Sequence, residues 1–192
     1  INEIRFQRQG YAEALVHPDV LNAVAGGIHA RIAVTYVEWA GPDAQDVVVP
    51  WTIIAGKADA EAFGVSLLAA PKRAFGRNAI GSALDAAEKL ITGNAHEGIR
   101  KVIDFSGDSA NSWDPIPTET ARQSAIGKGI TINGLAIRCR DCSGRPVDYD
   151  LESAFRDTII GGPGSFVVTA EDRSPFKTAV RRKLILEIAN RG

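Results

Sequence analysis

Oxygen-bearing side chains are concentrated directly after an apolar segment in the middle of the chain. The stretch SGDSANSW, residues 106–113, contains Asp108, Ser109 and Asn111. Two kinds of chemistry fit these residue types. Ser109 could act as the nucleophile of a hydrolase if a histidine accepted its proton, and Asp108 could bind a hard divalent cation together with neighbouring oxygen atoms. Trp113, at the end of the stretch, is a candidate exposed contact for a partner.

The hydrolase interpretation depends on a histidine. The Gly-Asp-Ser triplet at 107–109 resembles the nucleophile segment of GDSL-type esterases, a resemblance that implies a histidine near the C-terminus. The histidines of this chain are His17, His29 and His96, so none follows the candidate nucleophile. One of them would have to return to Ser109, as in catalytic triads of other chain orders. A GDSL-like hydrolase using Ser109 is therefore the alternative interpretation.

A cation site at Asp108 requires oxygen ligands from a second loop at the same end of the sheet. Mg²⁺ is commonly bound by one or two protein carboxylates and keeps several water molecules. The segment FGRNAIGSAL, residues 75–84, supplies Asn78 at the start of a predicted helix. Asn78 also has a simpler interpretation as the residue that caps this helix, a role worth about 1 kcal/mol. The sequence allows both roles.

The periodicity of apolar residues predicts the elements that position these loops. Helices are predicted at 2–16, 18–25, 58–70, 79–91, 118–128, 151–160 and 176–190, and strands at 31–40, 46–54, 100–106, 129–137 and 165–170. Strands that alternate with helices favour right-handed crossovers and a parallel sheet covered on both faces. A short loop joins the first two strands, which therefore pair antiparallel, and Pro50 directs the second to an edge. We expect a three-layer, doubly wound α/β domain with a mainly parallel sheet and one antiparallel edge strand.

Two polar segments lie at one end of this predicted sheet. Ligands of doubly wound sheets bind beyond the carboxyl ends of the strands, where both 106–113 and the segment RCRDCSG at 138–144 are expected. Cys139 and Cys142 of the second segment lack a further ligand pair for structural zinc. A local disulfide or two free thiols are the better interpretations.

The charge and composition argue against several classes of partner. The 192 residues include 22 Lys and Arg and 23 Asp and Glu, which are interleaved and give a net charge of −1. We therefore expect no binding to nucleic acid or to anionic lipid. No apolar run approaches the length of a membrane span, and no signal peptide is visible.

Four other features have structural interpretations. Asp104 lies inside a strand, so its carboxylate must be hydrogen-bonded or have a shifted pKa. Trp39 and Trp51, on neighbouring strands, are expected to pack as a cross-strand pair. The basic run at 181–183 is expected to be a solvated helix face. The glycine-rich segment GGPG at 161–164 is expected to form a turn.

The order of the elements resembles that of a von Willebrand factor A (VWA) domain. More closely, the segments QRQGY, RIAVTYVEW, VVVPWT, NAIGSALDAA, VIDFSGD, GITINGLAI and IIGGPGSFV are similar to an uncharacterised family of bacterial proteins with that fold, predicted to be exported. The similarity runs over nearly the whole chain. It implies a periplasmic or secreted protein and names no activity, because the family itself has no known function.

The resemblance also implies a metal-ion-dependent adhesion site. Its pattern has Asp-x-Ser-x-Ser after the first strand, a Thr before a later helix and an Asp after the fourth strand. Asp108 matches the last position, and Asn78 stands where the Thr is expected. The implied ligand is Mg²⁺ or another divalent cation, which would bind an acidic group of a protein partner. Ser109, Asn111 and Trp113 would then be partner contacts.

The first part of that pattern does not occur in the sequence. In VWA domains it runs directly into the first helix, so we expect Asp-x-Ser-x-Ser, with the first central strand of the sheet, just upstream of Ile1. Residues 1–192 are then a single VWA-like domain that is N-terminally incomplete. The expected function is cation-dependent protein binding without enzymatic activity. Besides the Ser109 hydrolase, the alternative is a metal-free scaffold, which the departure at Asn78 favours.

Overall fold

The helices and strands follow one another along the chain in the predicted order, and they alternate from α4 onward. The fold is described from a computed structural model, which describes residues 2–138, 147–171 and 176–189. The helices are α1 (Asn2–Leu15), α2 (Pro18–Ala25), α3 (Lys57–Ala69), α4 (Ile80–Thr92), α5 (Thr118–Gly127), α6 (Leu151–Thr158) and α7 (Phe176–Ala189). The strands are β1 (Ile32–Trp39), β2 (Gln45–Ile54), β3 (Lys101–Gly107), β4 (Ile130–Ile137) and β5 (Val167–Ala170). None of these helices is long and apolar enough to cross a membrane.

The strands form two separate sheets. β1 and β2 pair antiparallel, from Ile32 opposite Ile54 to Trp39 opposite Gln45. β3, β4 and β5 form a parallel sheet in that order. β2 pairs only with β1 among the described strands and lies at an edge, as Pro50 predicts. The parallel sheet and the antiparallel pair confirm the predicted α/β fold class.

The strand β4 separates two apolar cores. All eight of its residues are buried, as is typical of a parallel strand covered on both faces. Leu135 and Ile137 pack on the side of α1, α3 and α7. Ile130 and Ile132 pack on the opposite side, with α4, α5 and α6. Because side chains alternate along a strand, this one element builds both cores.

A wide cleft lies between β1 and β3. The two strands do not pair with each other, and no described strand lies between them. The cleft has a volume of about 2180 Å³. Seven of the eight residues of β1 are only half-buried, although six are apolar. The rings of Trp39 and Phe105 have centroids 5.1 Å apart, so β1 and β3 end on the same side of the cleft. The resemblance implied a missing central strand at this place; whether the domain extends upstream stays a prediction.

The two tryptophans of the antiparallel pair do not form the predicted cross-strand pair. Trp39 lies opposite Gln45 in the register and packs on Phe105 instead. The ring of Trp51 lies 6.1 Å from that of His96. The register of the hairpin is irregular between Val34 and Val37, and the cleft leaves Trp39 free to reach across to β3.

A charged cluster is buried beside the cleft, where Lys183 of α7 meets Asp104 of β3. Lys183 is fully buried, with its Nζ 2.5 Å from Asp104 Oδ1 and hydrogen-bonded to the carboxylate of Glu187. Tyr11 donates a hydrogen bond of 3.1 Å to the same Asp104 oxygen. The expectation of a solvated face at 181–183 is thus wrong for Lys183. Lys183 is spaced along α7 so that it lies on the same inward face as the buried Ala179 and Val180. On that face it supplies the positive charge that the carboxylate of Asp104 requires.

Glu187 is the more deeply buried carboxylate of this cluster. Its Oε1 also accepts a hydrogen bond of 3.0 Å from Asn133 Nδ2. Burial raises the pKa of Glu187 from 4.5 to about 7. The negative charge of Asp104 acts in the same direction, whereas Lys183 and Asn133 oppose the shift. The folded protein therefore holds a proton on Glu187 at pH values where the unfolded chain has lost it.

We predict that stability falls as the pH rises from about 5 to about 7. In this window the folded state binds more protons at Glu187 than the unfolded state, so the free energy of unfolding decreases with pH. Glu187→Gln should remove a pH-dependent change on the order of 2 kcal/mol. Urea denaturation of both proteins at pH 5 and pH 7.5 measures it. Glu97→Gln, at an exposed position, should keep the wild-type slope; parallel profiles for wild type and Glu187→Gln would contradict the assignment.

Candidate functional site

The two predicted metal ligands lie at the mouth of the same cleft. Asp108 follows directly on the last residue of β3, and Asn78 precedes the first turn of α4; both line the cleft. We call residues 38–40, 75–78 and 106–114 the strand-end rim. The structure therefore brings the two predicted ligands to one rim, as expected from the sequence. That they hold a cation stays a prediction.

Backbone hydrogen bonds join the loops of the strand-end rim. Ala79 N–H donates to the carbonyl oxygen of Ala40 at 2.8 Å, and Trp113 N–H donates to the carbonyl oxygen of Asn78 at 2.7 Å. Gly76 has a φ of +133°, and a Cβ there would lie 2.9 Å from the backbone nitrogen of Gly41. The backbone position of Asn78 is thus fixed from both sides.

The start of α4 is capped by residues of the Asp108 loop and not by Asn78. Ser112 Oγ accepts the N–H of Ile80 at 3.0 Å. Asp114 accepts the N–H of Ser82 at 2.6 Å and its hydroxyl at 2.7 Å. The simpler interpretation of Asn78 as the helix cap is therefore wrong, because oxygen atoms 32 residues further along the chain satisfy these donors. The Asn78 side chain is left for another role.

Gly81 allows α4 to approach the Asp108 loop this closely. A Cβ at this position would lie 2.0 Å from the carbonyl oxygen of Ile116 and 3.3 Å from Asp114 Oδ2. No real Cβ contact is that short, so a larger residue would push the helix away from the loop. The first turn of α4 and the loop therefore form one unit.

Asp108 carries a carboxylate that no described residue neutralises. It is half-buried, and this burial raises its pKa, which only a hydrogen bond to its own backbone opposes. It forms no ion pair with any described residue. A desolvated carboxylate of this kind suits a hard cation. The described residues nevertheless contain no group of three or more His, Cys, Asp or Glu side chains that could hold a metal, so they supply only part of a ligand set.

Ser109 takes part in a turn. Its Oγ accepts the N–H of Asn111 at 3.0 Å and lies 3.3 Å from the hydroxyl of Tyr149. Tyr149 also accepts the N–H of Ala110 at 2.9 Å. No histidine is a hydrogen-bond partner of Ser109 among the described residues, and His17 caps α2 through its Nδ1. These contacts give Ser109 a structural role.

Exposed aromatic rings and basic side chains stand together at the strand-end rim. Trp113 is 64% exposed, as predicted, and the Arg77 guanidinium lies 5.3 Å from its ring centroid. That Trp113 contacts a partner stays a prediction. Phe75 is also 64% exposed, and Lys72 Nζ lies 5.2 Å from its ring centroid. Asn111 is exposed beside them in the loop. Sequence reasoning did not single out Lys72, Phe75 or Arg77, although the interleaved basic and aromatic residues of KRAFGR were visible.

Glu38 is a further rim residue that sequence reasoning did not assign. Its side chain is only 6% exposed, and Oε1 lies 2.6 Å from Arg8 Nε. The other oxygen, Oε2, is buried without a hydrogen-bond partner among the described residues. Cys139 and Cys142, the other predicted feature of this end of the sheet, lie outside the described residues.

A comparison of families identifies the relatives of the chain. The model of the family described as "Protein of unknown function (DUF1194)" matches residues 1–192. The chain belongs to the DUF1194 family. This membership confirms the uncharacterised family expected from the sequence. No curated protein matches the chain.

Two solved proteins have a similar structure. The pilus adhesin SpaC from Lactobacillus rhamnosus GG, in its open conformation, matches with a TM-score of 0.63 and 14% identity over 98% of this chain and 28% of SpaC. Another SpaC structure gives a TM-score of 0.61. The conserved hypothetical protein BatB from Bacteroides thetaiotaomicron matches with a TM-score of 0.53 and 16% identity, over 96% of this chain and 88% of BatB. At these identities the similarity shows the fold alone. The DUF1194 chain spans little more than a quarter of the length of SpaC.

We predict that Gly81→Ala destabilises the DUF1194 domain. Alanine is the better helix former by up to about 1 kcal/mol, but the clash with the Ile116 carbonyl should outweigh this and lower the free energy of unfolding by on the order of 2 kcal/mol. Urea denaturation measures the change. Gly127→Ala, at the end of α5, is the matched control, because a Cβ there meets nothing within 4 Å. Equal stabilisation of both variants would show that the close approach is absent in solution.

Proposed function

We propose that this DUF1194 protein is a VWA-like binding module that uses a divalent cation at the strand-end rim to bind an acidic group of a protein partner. The observation that carries the proposal is the half-buried carboxylate of Asp108, which no described residue pairs with a positive charge. The fold similarity to a pilus adhesin supports an adhesion-type role. It also supports a periplasmic or secreted location, as the family resemblance implies.

Asp108 and Asn78 would hold the cation, and ligands from outside the described residues would complete the set. A bound Mg²⁺ would act as a Lewis acid that attracts a carboxylate of the partner. Ser112 and Asp114 are excluded as ligands in this proposal, because their oxygen atoms already accept hydrogen bonds from the start of α4.

The basic and aromatic residues of the rim region would contact the partner around the cation. Arg77 and Lys72 carry positive charge beside the exposed rings of Trp113 and Phe75. Such charges favour the approach of an acidic partner and raise its association rate. The rings offer apolar area of the kind that dominates protein interfaces.

We propose binding rather than hydrolysis as the activity of this rim. Ser109 Oγ accepts a backbone N–H and contacts Tyr149, so its hydrogen bonds support a turn and not a nucleophile. Unchanged turnover of generic esters after Ser109→Ala would support this part of the proposal. Loss of an initial ester-hydrolysis activity in that variant would overturn it.

We predict that the natural full-length polypeptide binds Mg²⁺ and Mn²⁺ through Asp108. Asp108→Asn removes the charged ligand at nearly constant volume and should weaken binding at least tenfold, which corresponds to about 1.4 kcal/mol. Isothermal titration calorimetry with each metal chloride measures it. Asp157→Asn, at an exposed position on α6 outside the cleft, is the matched control and should bind like the wild type.

Two results would contradict the cation proposal. No binding by the natural polypeptide would show that Asn78 marks a lost site and would leave the metal-free scaffold. Binding of equal strength in wild type and Asp108→Asn would place the cation elsewhere. In either case the basic and aromatic surface would have to act without a cation.

We predict that the rim binds a fluorescein-labelled hexaglutamate peptide in a salt-dependent manner. Arg77→Ala should weaken this binding by about fivefold, the effect of a charge contact worth roughly 1 kcal/mol. Fluorescence anisotropy at two salt concentrations, with Mn²⁺ present, measures it. Arg31→Ala is the control, since Arg31 is exposed at the opposite end of β1. Equal loss in both variants would indicate nonspecific charge attraction.

A further inference from the structure

The strand β5 has an open edge on the side away from β4. It pairs only with β4 among the described strands. The carbonyl oxygens of Phe166 and Ala170 accept N–H groups from β4 and from the residue that follows it, so the even-numbered residues direct their backbone groups at β4. Because successive residues of a strand alternate, Val167 and Thr169 direct theirs outward. A row of outward backbone groups is a template for another strand.

A groove of about 900 Å³ follows this open edge between α6 and α7. On the α7 side it is lined by apolar side chains, since Ile185 is half-buried and Leu186 is 43% exposed. The α6 side is polar, and its charges are paired: Glu152 forms an ion pair with Arg156 and accepts the hydroxyl of Thr169 at 2.7 Å. A strand in the groove would therefore have one apolar and one polar neighbour.

The helix α7 runs back along β5, which fixes the order of its exposed residues. Glu187, near the end of α7, accepts a hydrogen bond from Asn133, and Asn133 accepts the N–H of Phe166 just before β5. Leu186 therefore lies beside the beginning of β5, and Arg182, about one helical turn earlier, lies nearer its end. Arg182 is exposed and forms no ion pair with any described residue. The α7 side thus offers a positive charge and then an apolar side chain.

The spacing of these two residues matches alternate positions of an extended peptide. Four residues of a helix rise about 6 Å, and two residues of a strand span about 7 Å. Side chains two apart in a strand lie on the same face, so one such side chain meets Arg182 and the next meets Leu186. The charge of Arg182 favours an acidic residue at the first position, and Leu186 favours a large apolar residue at the second.

We propose that the groove beside β5 binds an extended segment of a partner protein as an added strand, antiparallel to β5. Antiparallel pairing is slightly stronger than parallel pairing. It sets the order of the segment as an acidic residue, an intervening residue and a large apolar residue, because such a strand passes Arg182 before Leu186. Main-chain hydrogen bonds supply affinity in this mode of binding, and alternate side chains supply specificity.

The antiparallel geometry also assigns the backbone contacts. Val167 and Thr169 each exchange two hydrogen bonds with the residue directly opposite. The side chains of those opposite residues face α6, as that of Thr169 does. The groove lies at the outer edge of the parallel sheet, with β3 and β4 between it and the cleft. The proposal therefore holds whether or not the strand-end rim binds a cation.

Fluorescence anisotropy of the natural full-length polypeptide with a designed peptide tests the proposal. The probe is fluorescein-labelled Gly-Thr-Glu-Thr-Leu-Thr-Gly, in which Glu and Leu face α7 and the threonines pair with β5. N-methylation of the threonine amides, which point at β5, should weaken binding at least tenfold. N-methylation of the Glu and Leu amides, which point away, should leave it unchanged. EDTA in the buffer keeps cation binding at the strand-end rim out of the result.

Two variants at exposed positions test the side-chain contacts, with circular dichroism to verify that each is folded. Leu186→Ala should weaken binding of the probe by about fivefold. Leu68→Ala is the matched control, since Leu68 of α3 is 50% exposed and lies outside the groove. Arg182→Gln should weaken binding of the probe by about threefold and should not change binding of a probe that carries Gln in place of Glu.

Three results would overturn the proposal. The first is that the probe does not bind at millimolar concentration. The second is that both N-methylation patterns have the same effect, which would show that the backbone of β5 takes no part. The third is self-association of the polypeptide that Leu186→Ala abolishes, measured by sedimentation equilibrium, which would assign the groove to a second copy of the chain.

Discussion

The pairing of backbone polar groups is the constraint on which the arrangement of this domain depends. It is fully met in β4, which has a strand on each side and a core on each face. On the facing edges of β1 and β3 no described strand meets it, and a cleft of about 2180 Å³ lies between the two sheets. The half-buried apolar residues of β1, the contact of Trp39 with Phe105, and Glu38 Oε2 and Asp104 Oδ2, which lack hydrogen-bond partners among the described residues, all border this one gap.

The buried ionic cluster and its neighbours tie β1 and β3, the two strands that border the gap, to α1 and α7 on one face of the sheet. Lys183 links α7 to Asp104 of β3, and Tyr11 links α1 to the same carboxylate. Arg8 in turn binds α1 to Glu38 of β1. A buried cation between two carboxylates is stabilising only when each charge keeps its partner. Burial, together with the nearby negative charge of Asp104, raises the pKa of Glu187 in this cluster.

Local periodicity was sufficient to predict the elements, the fold class and the common location of Asp108 and Asn78. What it could not predict are contacts between residues far apart in the sequence. Three consecutive basic residues are typical of a solvated face, and only the position of Asp104 in β3 makes Lys183 buried. The cap of α4 comes from Ser112, 32 residues away, so no local signal distinguished it from Asn78. Likewise, Trp39 packs across the cleft and not on its hairpin neighbour, because an irregular register and an open edge outweigh the cross-strand preference.

The distribution of charge over the strand-end rim explains why Asp108 is the residue to which a cation is proposed to bind. The rim contains three carboxylates among the described residues, and two already have partners: Glu38 binds Arg8, and Asp114 accepts hydrogen bonds from Ser82 and Ile116. The nearby cations Arg77 and Lys72 lie over aromatic rings and not beside Asp108. Positive charge is thus directed outward, toward solvent, while negative charge remains at the mouth of the cleft. A cation bound to Asp108 would reverse the sign of that inner charge, so that the mouth and its surroundings would both attract an acidic group.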